Sequence, residues 1–313
     1  MESASKIKVN FSRTSYILLG LACLLGLLPS SIALISGFAL TWFLTNPFPQ
    51  LSKKGIHYLL KIAVIGLGFG MSFQEVLASS KEGLGLTVFS ILSTIILGYF
   101  LVKLLGLDRK LGHLISSGTA ICGGSAISAI APIIKADAKC ISMSLGVVFA
   151  LNAIALLIFP SLGRWIGLDQ MEFGLWAAIA IHDTSSVVGA AMAYGDEALK
   201  VATMVKLSRA LWIIPLSFLS IWLFKEKNSK VKIPWFILGF VGAIVLNNIL
   251  SIPEVITSSV ILGSKRLLVI SLFFVGTTVS VKDLKAMGVR PLLMAVILWV
   301  FISVSSLALI KLF

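Results

Sequence analysis

Continuous apolar runs of about 18–25 residues, the length at which an α-helix crosses roughly 30 Å of hydrocarbon, recur along the whole of this sequence. They fall at approximately 15–29, 31–46, 58–79, 83–105, 111–135, 140–160, 172–194, 200–224, 233–250, 254–280 and 290–312. Hydrophobic residues make up 58% of the chain and charged residues 12%, against about 45–50% and 25% in a soluble domain. A soluble chain so composed has too few polar groups to cover its surface. Barrel strands would show a weak period-2 alternation instead of unbroken runs. The sequence therefore predicts an all-α, polytopic membrane protein with about ten or eleven transmembrane helices. Leu28-Pro29-Ser30 joins the first two runs, which form either a tight hairpin or one continuous region.

The formal charge is +13. In a soluble protein this would suggest nucleic acid, but here it follows the loops. With a cytoplasmic N-terminus, Lys6, Lys8, Arg13, Lys53, Lys54, Arg109, Lys110, Lys225, Lys227, Lys230, Lys232, Lys282, Lys285 and Arg290 all fall inside, as the positive-inside rule expects. No aromatic-interleaved basic patch is present, so no nucleic-acid partner is expected. Cys23, Cys122 and Cys140 lack the paired spacing of a disulfide framework or a zinc site, and neither metal nor organic cofactor is expected. The first run resembles a signal peptide, but it has no clean cleavage site and ten more runs follow, so it reads as a retained membrane helix. The longest polar connection is about 225–232. The chain reads as a single transmembrane transport domain, 1–313.

Two internal self-matches bear on architecture, because transporters are often built from repeats. At an offset of 60, Ile121, Ser125, Ala131, Ala138, Ala150, Leu151 and Ile154 fall on Ile181, Ser185, Ala191, Ala198, Ala210, Leu211 and Ile214. At an offset of 208, Leu60, Ile62, Gly68, Ser72 and Ala78 fall on Leu268, Ile270, Gly276, Ser280 and Ala286, with Glu75 on Asp283. Counting segments, the second match relates helices of opposite orientation, as an inverted repeat requires, and the first relates helices of the same orientation. A re-entrant hairpin in either polar segment would change that parity.

Two runs are interrupted by small and polar residues. The first, Ser116 to Ser128, contains Gly118, Thr119, Cys122, Gly123, Gly124 and Ser125. Adjacent glycines weaken a helix by about 1 kcal/mol each, and neighbouring hydroxyls can satisfy the backbone that an unwound turn exposes. This predicts a broken helix at mid-membrane, with a half-helix N-terminus offering N–H groups to an anion. Close packing of small residues is the structural alternative. The second interruption is His182-Asp183-Thr184-Ser185-Ser186, near the middle of the span from Met171 to Met192. An Asp there costs about 2.5–3.5 kcal/mol on the insertion scale and ordinarily faces a cavity or a partner. His182 and Asp183 are the candidate proton or ion-coupling residues, and Thr184 and Ser185 are candidate ligands. In the bland alternative the register shifts and the pair sits at the interface.

Lys206 and Arg209 stand three residues apart within an otherwise apolar run, which puts both cations on one helical face. They suit an oxyanion, Arg209 by its fork and Lys206 as a point charge, or they snorkel or pair with Asp183. Asn152, Asn247, Asn248, Thr277 and Thr278 are lesser candidates to line the path, and read first as interhelical glue. Gly66-Leu67-Gly68-Phe69-Gly70 lacks the context of a nucleotide loop. Glu75 and Asp283 fit helix ends.

The stretches Gly118–Ile127, Ile181–Ala190 and Ala202–Arg209, in that order and spacing, resemble the bacterial sulfate exporter family over nearly the whole chain. Ser185-Ser186 depart from the Ala-Gln type of pair common in that family. The resemblance implies a secondary transporter of the bacterial inner membrane, distantly similar to bile-acid symporters and sodium/proton antiporters. It also implies inverted repeats, discontinuous helices crossing near the midplane, and a homodimer.

The expectation is a gradient-driven carrier of a small anion of the sulfate or sulfite type, working by alternating access within membrane lipid. Lys206, Arg209 and the backbone around Thr119 and Cys122 to Ser125 would hold the anion, and His182 or Asp183 would couple its passage to a proton or sodium ion. A cation/proton antiporter centred on Asp183 is the alternative. An intramembrane enzyme pairing Cys122 with His182 is a remoter one, unsupported by any hydrolase motif.

Overall fold

The computed structural model describes residues 2–44, 46–71, 73–225, 235–250, 252–278 and 288–312, apart from the side chains of 2–9, 30, 31, 57 and 73–84. Among the described residues there is no strand. The helices are α1 (Glu2–Leu25), α2 (Ser30–Phe43), α3 (Pro49–Gly68), α4 (Phe73–Leu105), α5 (Arg109–Ala120), α6 (Gly124–Ile133), α7 (Ala138–Ile166), α8 (Gln170–Ala180), α9 (Thr184–Tyr194), α10 (Asp196–Leu211), α11 (Ile213–Phe224), α12 (Trp235–Leu250) and α13 (Glu254–Thr278). The last, Val289–Leu312, is α14. Lys6 and Lys8 lie in α1 with undescribed side chains, as does Glu75 in α4. Lys227, Lys230, Lys232, Ser280, Lys282, Asp283, Lys285 and Ala286 lie outside the described residues.

The all-α membrane architecture is confirmed. Gly85–Leu105, Ala138–Ile166, Asp196–Phe224, Glu254–Thr278 and Val289–Leu312 are each long and apolar enough to cross a bilayer. The first two apolar runs are separate helices: Gly26 at φ +76° turns the chain, Leu27 N–H closes α1 on the Ala22 carbonyl, and Pro29 precedes α2. The third helix begins at Pro49, well before the apolar run at 58. Proline suits the first helical turn, where its missing N–H costs nothing, and the helix carries Lys53 and Lys54 along with it.

α1, α2, α3, α12 and α13 form one group. Its centre is a backbone-to-backbone approach of α2 and α13 at Gly37 and Gly276, where a Cβ on either residue would come within 2.2 Å of a carbonyl oxygen of the other helix. Small residues at such a seam let membrane helices gain dispersion contact that apolar side chains in lipid cannot supply. A buried polar cluster ties the same group together: Ser52 Oγ lies 2.8 Å from Tyr16 Oη and accepts from Thr277 Oγ1 and Asn46 Nδ2.

The remaining helices form a second group, built around two helix–break–helix segments. Each folds back on itself. Lys110, at the start of α5, donates to the Lys135 carbonyl just beyond α6, and Asp108 lies beside Cys140 at the start of α7. Tyr194, at the end of α9, donates to the Leu168 carbonyl before α8 and stacks on Phe173, ring centroids 3.8 Å apart. A continuous helix would separate residues 168 and 194 by nearly 40 Å at 1.5 Å per residue. The expectation of discontinuous helices that cross is thus refined to two helical hairpins. α7, 29 residues long, joins the face where the first hairpin is rooted to the face where the second is rooted. α10 and α11 return to the first face, with Ser220 against His113 and Phe224 under Arg109. Pro215 lies just beyond the break at Trp212, where it deprives the Leu211 carbonyl of its helical donor.

This topology predicts a labelling pattern. Single cysteines placed at Arg109 and Lys139 in a cysteine-free background should react with a membrane-impermeant maleimide from one side of the membrane. Cysteines at Asp169 and Asp196 should react from the other. If positions 109 and 139 label from opposite sides, the first hairpin is instead a crossing helix.

Candidate functional site: two opposed hairpin tips

The hairpins enter from opposite faces and their tips meet. At the first tip, Ile121, Cys122 and Gly123 separate α5 from α6. Gly123 adopts φ 61°, ψ −122°, a conformation closed to residues with a Cβ. A Cβ there would lie 3.4 Å from Asp183 N and Cα, so the backbones of the two tips are in contact. At the second tip, Ile181, His182 and Asp183 separate α8 from α9. Ile121 and Ile181 each follow the last residue of the inbound arm, and Ser125 and Ser185 are each the second residue of the outbound arm. The offset of 60 therefore lays break upon break. Because each segment folds back, it relates elements of opposite orientation.

Four half-helix ends converge here, and three carry a charged partner. At the C-terminus of α8, Lys206 Nζ donates to the carbonyls of Ile181 at 2.7 Å and Ala178 at 3.1 Å. At the C-terminus of α5, Arg209 Nη2 donates to the Ala120 carbonyl at 2.6 Å, and its Nη1 donates to Ser90 Oγ at 2.7 Å. Both cations are fully buried. Their i, i+3 spacing on α10 hands one to each hairpin, at the ends where carbonyls carry a partial negative charge. At the N-terminus of α9, Asp183 is the cap: its carboxylate accepts from Ser185 N at 3.0 Å and from Ser185 Oγ. Asn152, in the middle of α7, holds this tip by accepting from His182 N and Asp183 N at 3.0 and 3.2 Å. The N-terminus of α6 has no side-chain cap.

The structure thus brings Thr119, Cys122, Gly123, Gly124, Ser125, His182, Asp183, Thr184, Ser185, Lys206 and Arg209 to one locus, where Cys122 and Lys206 lie within electrostatic reach of each other and of Asp183 and Arg209. Ser125 is exposed, whereas Thr119, Cys122, Gly124, Thr184 and Ser185 are buried. Several buried polar atoms have no partner among the described residues: Thr119 Oγ1, Asn152 Nδ2, both ring nitrogens of His182, and Arg209 Nε.

Sequence reasoning ranked Asn152 as a lesser candidate for the path, behind a glue role, and missed Ser90 and Trp299, whose Nε1 donates to the Ala180 carbonyl at 3.1 Å. A lone serine or tryptophan in an apolar run carries no signal of its own. Asn248 donates to the Met71 and Ile244 carbonyls, Thr277 belongs to the Ser52 cluster and Thr278 bonds within its own helix, so these are structural contacts away from the tips. Asn247 Oδ1 is buried on α12, apart from the tips. A cavity of about 230 Å³ lies between α2, α7 and α13, lined by Leu34, Phe38, Ala150, Ile154 and Leu157. Its wall is apolar.

Residues 15–295 match the family model described as conserved hypothetical protein 698. The chain belongs to this family. A UPF0324 membrane protein of Photobacterium profundum is 51% identical, covering 96% of this chain and 92% of its own. One from Bacteroides thetaiotaomicron is 49% identical over 88% and 84% of the two chains, and one from Vibrio parahaemolyticus is 46% identical over 94% and 97%. The sodium proton antiporter MjNhaP1 of Methanocaldococcus jannaschii aligns over 95% of this chain and 98% of its own, at 13% identity. Its TM-score is 0.18, too low to relate the folds. The family places this chain among multi-pass membrane proteins.

Replacing Lys206 with methionine keeps the bulk and removes the donor from the Ile181 and Ala178 carbonyls. An orphaned buried acceptor costs about 1–3 kcal/mol. The variant should unfold at a clearly lower temperature in detergent than a Lys200→Met control, and an unchanged midpoint would remove the capping role.

Proposed function

We propose that this protein is a secondary transporter that carries a small anion across the bacterial inner membrane by alternating access. The observation that carries this reading is the meeting of two hairpin tips from opposite faces, with an uncapped helix N-terminus and unpartnered polar side chains buried at the junction. Irregular backbone at membrane depth is tolerated only where protein or a cavity shelters it, and it marks substrate sites in transporters. A tip reachable from each face in turn is the geometry that alternating access requires.

The electrostatics favour an anion. Lys206 and Arg209 make the locus positive, and Asp183 offsets part of that charge. In our reading the two cations hold the inbound arms in place and set the potential. The direct ligands are then the α6 backbone N–H groups, Asn152 Nδ2, Thr119 and the free Nε of Arg209. His182 and Asp183, on the opposing tip, are the groups placed to take up a proton or sodium ion. The offset-60 match extends naturally to an inverted repeat, a hairpin followed by a long crossing helix, twice over. The face bearing Lys103, Arg109, Lys110, Lys135, Lys139, Lys225 and Arg290 is the cytoplasmic one by the positive-inside rule. The opposite face mixes Arg164, Lys200, Lys265 and Lys311 with Asp169, Glu172, Asp196 and Glu197.

Reconstitution into vesicles tests the assignment. Purified protein should exchange a labelled small anion down its gradient, and Asp183→Asn should uncouple that flux from an imposed pH or sodium gradient while leaving counterflow. If the protein instead moves sodium against protons with no anion requirement, it is an antiporter and the anion reading is wrong.

A further inference from the structure

Comparing the two tips position by position shows one asymmetry. The offset of 60 sets Gly123 on Asp183, Gly124 on Thr184 and Ser125 on Ser185. Where the second hairpin has a carboxylate that caps α9, the first has a glycine that leaves α6 without an N-cap side chain. The inbound ends show no such difference, because Lys206 covers one and Arg209 the other. Of four half-helix ends, the N-terminus of α6 alone lacks a charged side-chain partner; only the Cys122 sulfur lies against it, at the Ala126 N–H. α6 is 10 residues long, and an uncapped α-helix presents roughly half a positive charge at its N-terminus, spread over its free N–H groups.

A second observation points to an occupant. Asn152 binds the opposing tip through its Oδ1, which places its Nδ2 at the same junction; that nitrogen has no partner, and the residue is 3% exposed. Thr119, fully buried and one turn back on α5, has an unpartnered hydroxyl. Buried donors left unsatisfied are costly, and these two belong to the elements that meet at the junction. Nothing in the protein can fill the gap from position 123, because the backbone there excludes a Cβ.

Resting on the transport reading, we propose that the substrate is a singly charged carboxylate or oxyanion, bound at the N-terminus of α6 as the counterpart of the Asp183 carboxylate at α9. The charge follows from the junction itself. Two basic side chains, Lys206 and Arg209, stand against the one carboxylate of Asp183, so one further negative charge balances the site and a dianion overfills it. Donors suited to a planar or tetrahedral oxygen face, namely backbone N–H, amide N–H and hydroxyl, favour oxygen acids over halide. Sulfate, as the dianion, is therefore a poor ligand.

The test uses the full chain in detergent micelles, with thermal unfolding followed against sodium formate, acetate, chloride and sulfate at matched sodium and ionic strength. Formate or acetate should raise the midpoint saturably, with an apparent affinity about tenfold or more above that for sulfate, the scale of one lost charge-assisted contact. Chloride should do little. Ser125 is exposed and sits in the first turn of α6, so Ser125→Asp should supply the missing charge and abolish the anion-dependent shift. Ser128→Asp, the same charge on an exposed position a turn further along α6, should keep it. Sulfate binding as tightly as the monoanions overturns the proposal with no variant needed, as does a full shift in a folded Ser125→Asp protein. Anion flux in vesicles accompanied by either of those results sinks this substrate class and leaves the transport reading standing. Absence of flux for every anion sinks both.

Discussion

A helix that ends inside a membrane leaves carbonyl oxygens that water cannot reach, and the rest of this structure is arranged around that problem. Two helices, α5 and α8, end this way. Each unpaired carbonyl in hydrocarbon costs several kcal/mol, so neither break could persist without donors brought from elsewhere. α10 provides both from a single turn, Lys206 to one hairpin and Arg209 to the other. The cost of burying two cations is met in the same contacts, since each lies at the negative end of a helix. The interactions hold each other in place.

That solution fixes the topology. One helix can serve two breaks only if both tips reach the same depth, and tips from opposite faces do so when each hairpin spans about half the bilayer. The long helices α7 and α10–α11 then carry the chain between faces, and Asn152 on α7 fastens the second tip from the other side. The outbound arms have the opposite polarity, so the centre offers helix N-termini. One is capped by Asp183. The other is open, which is why the site's character is read from what is absent at Gly123 as much as from the charges nearby.

The group formed by α1, α2, α3, α12 and α13 has a plainer role. α2 and α13 lock at Gly37 and Gly276 and touch α9 along one side. An apolar cavity lies on the seam they share with α7. A seam with few polar contacts and some free volume can shift without breaking hydrogen bonds, which suits relative movement of one group against the other.

Much of this was legible in the sequence. Run length and composition determined that the chain is helical and lives in lipid, because hydrocarbon thickness sets helix length and no soluble surface could be made from these residues. Glycines 123 and 124, and the polar run from His182 to Ser186, located both breaks, because nothing else in a membrane span tolerates such residues cheaply. Only the tertiary structure decided that the broken segments turn back, since a helix–break–helix has the same hydropathy whether its arms continue or fold together. Only it decided what Lys206 and Arg209 do: the sequence puts them on one helical face, but which carbonyls lie opposite depends on a packing of elements up to 120 residues apart, where local spacing has no reach.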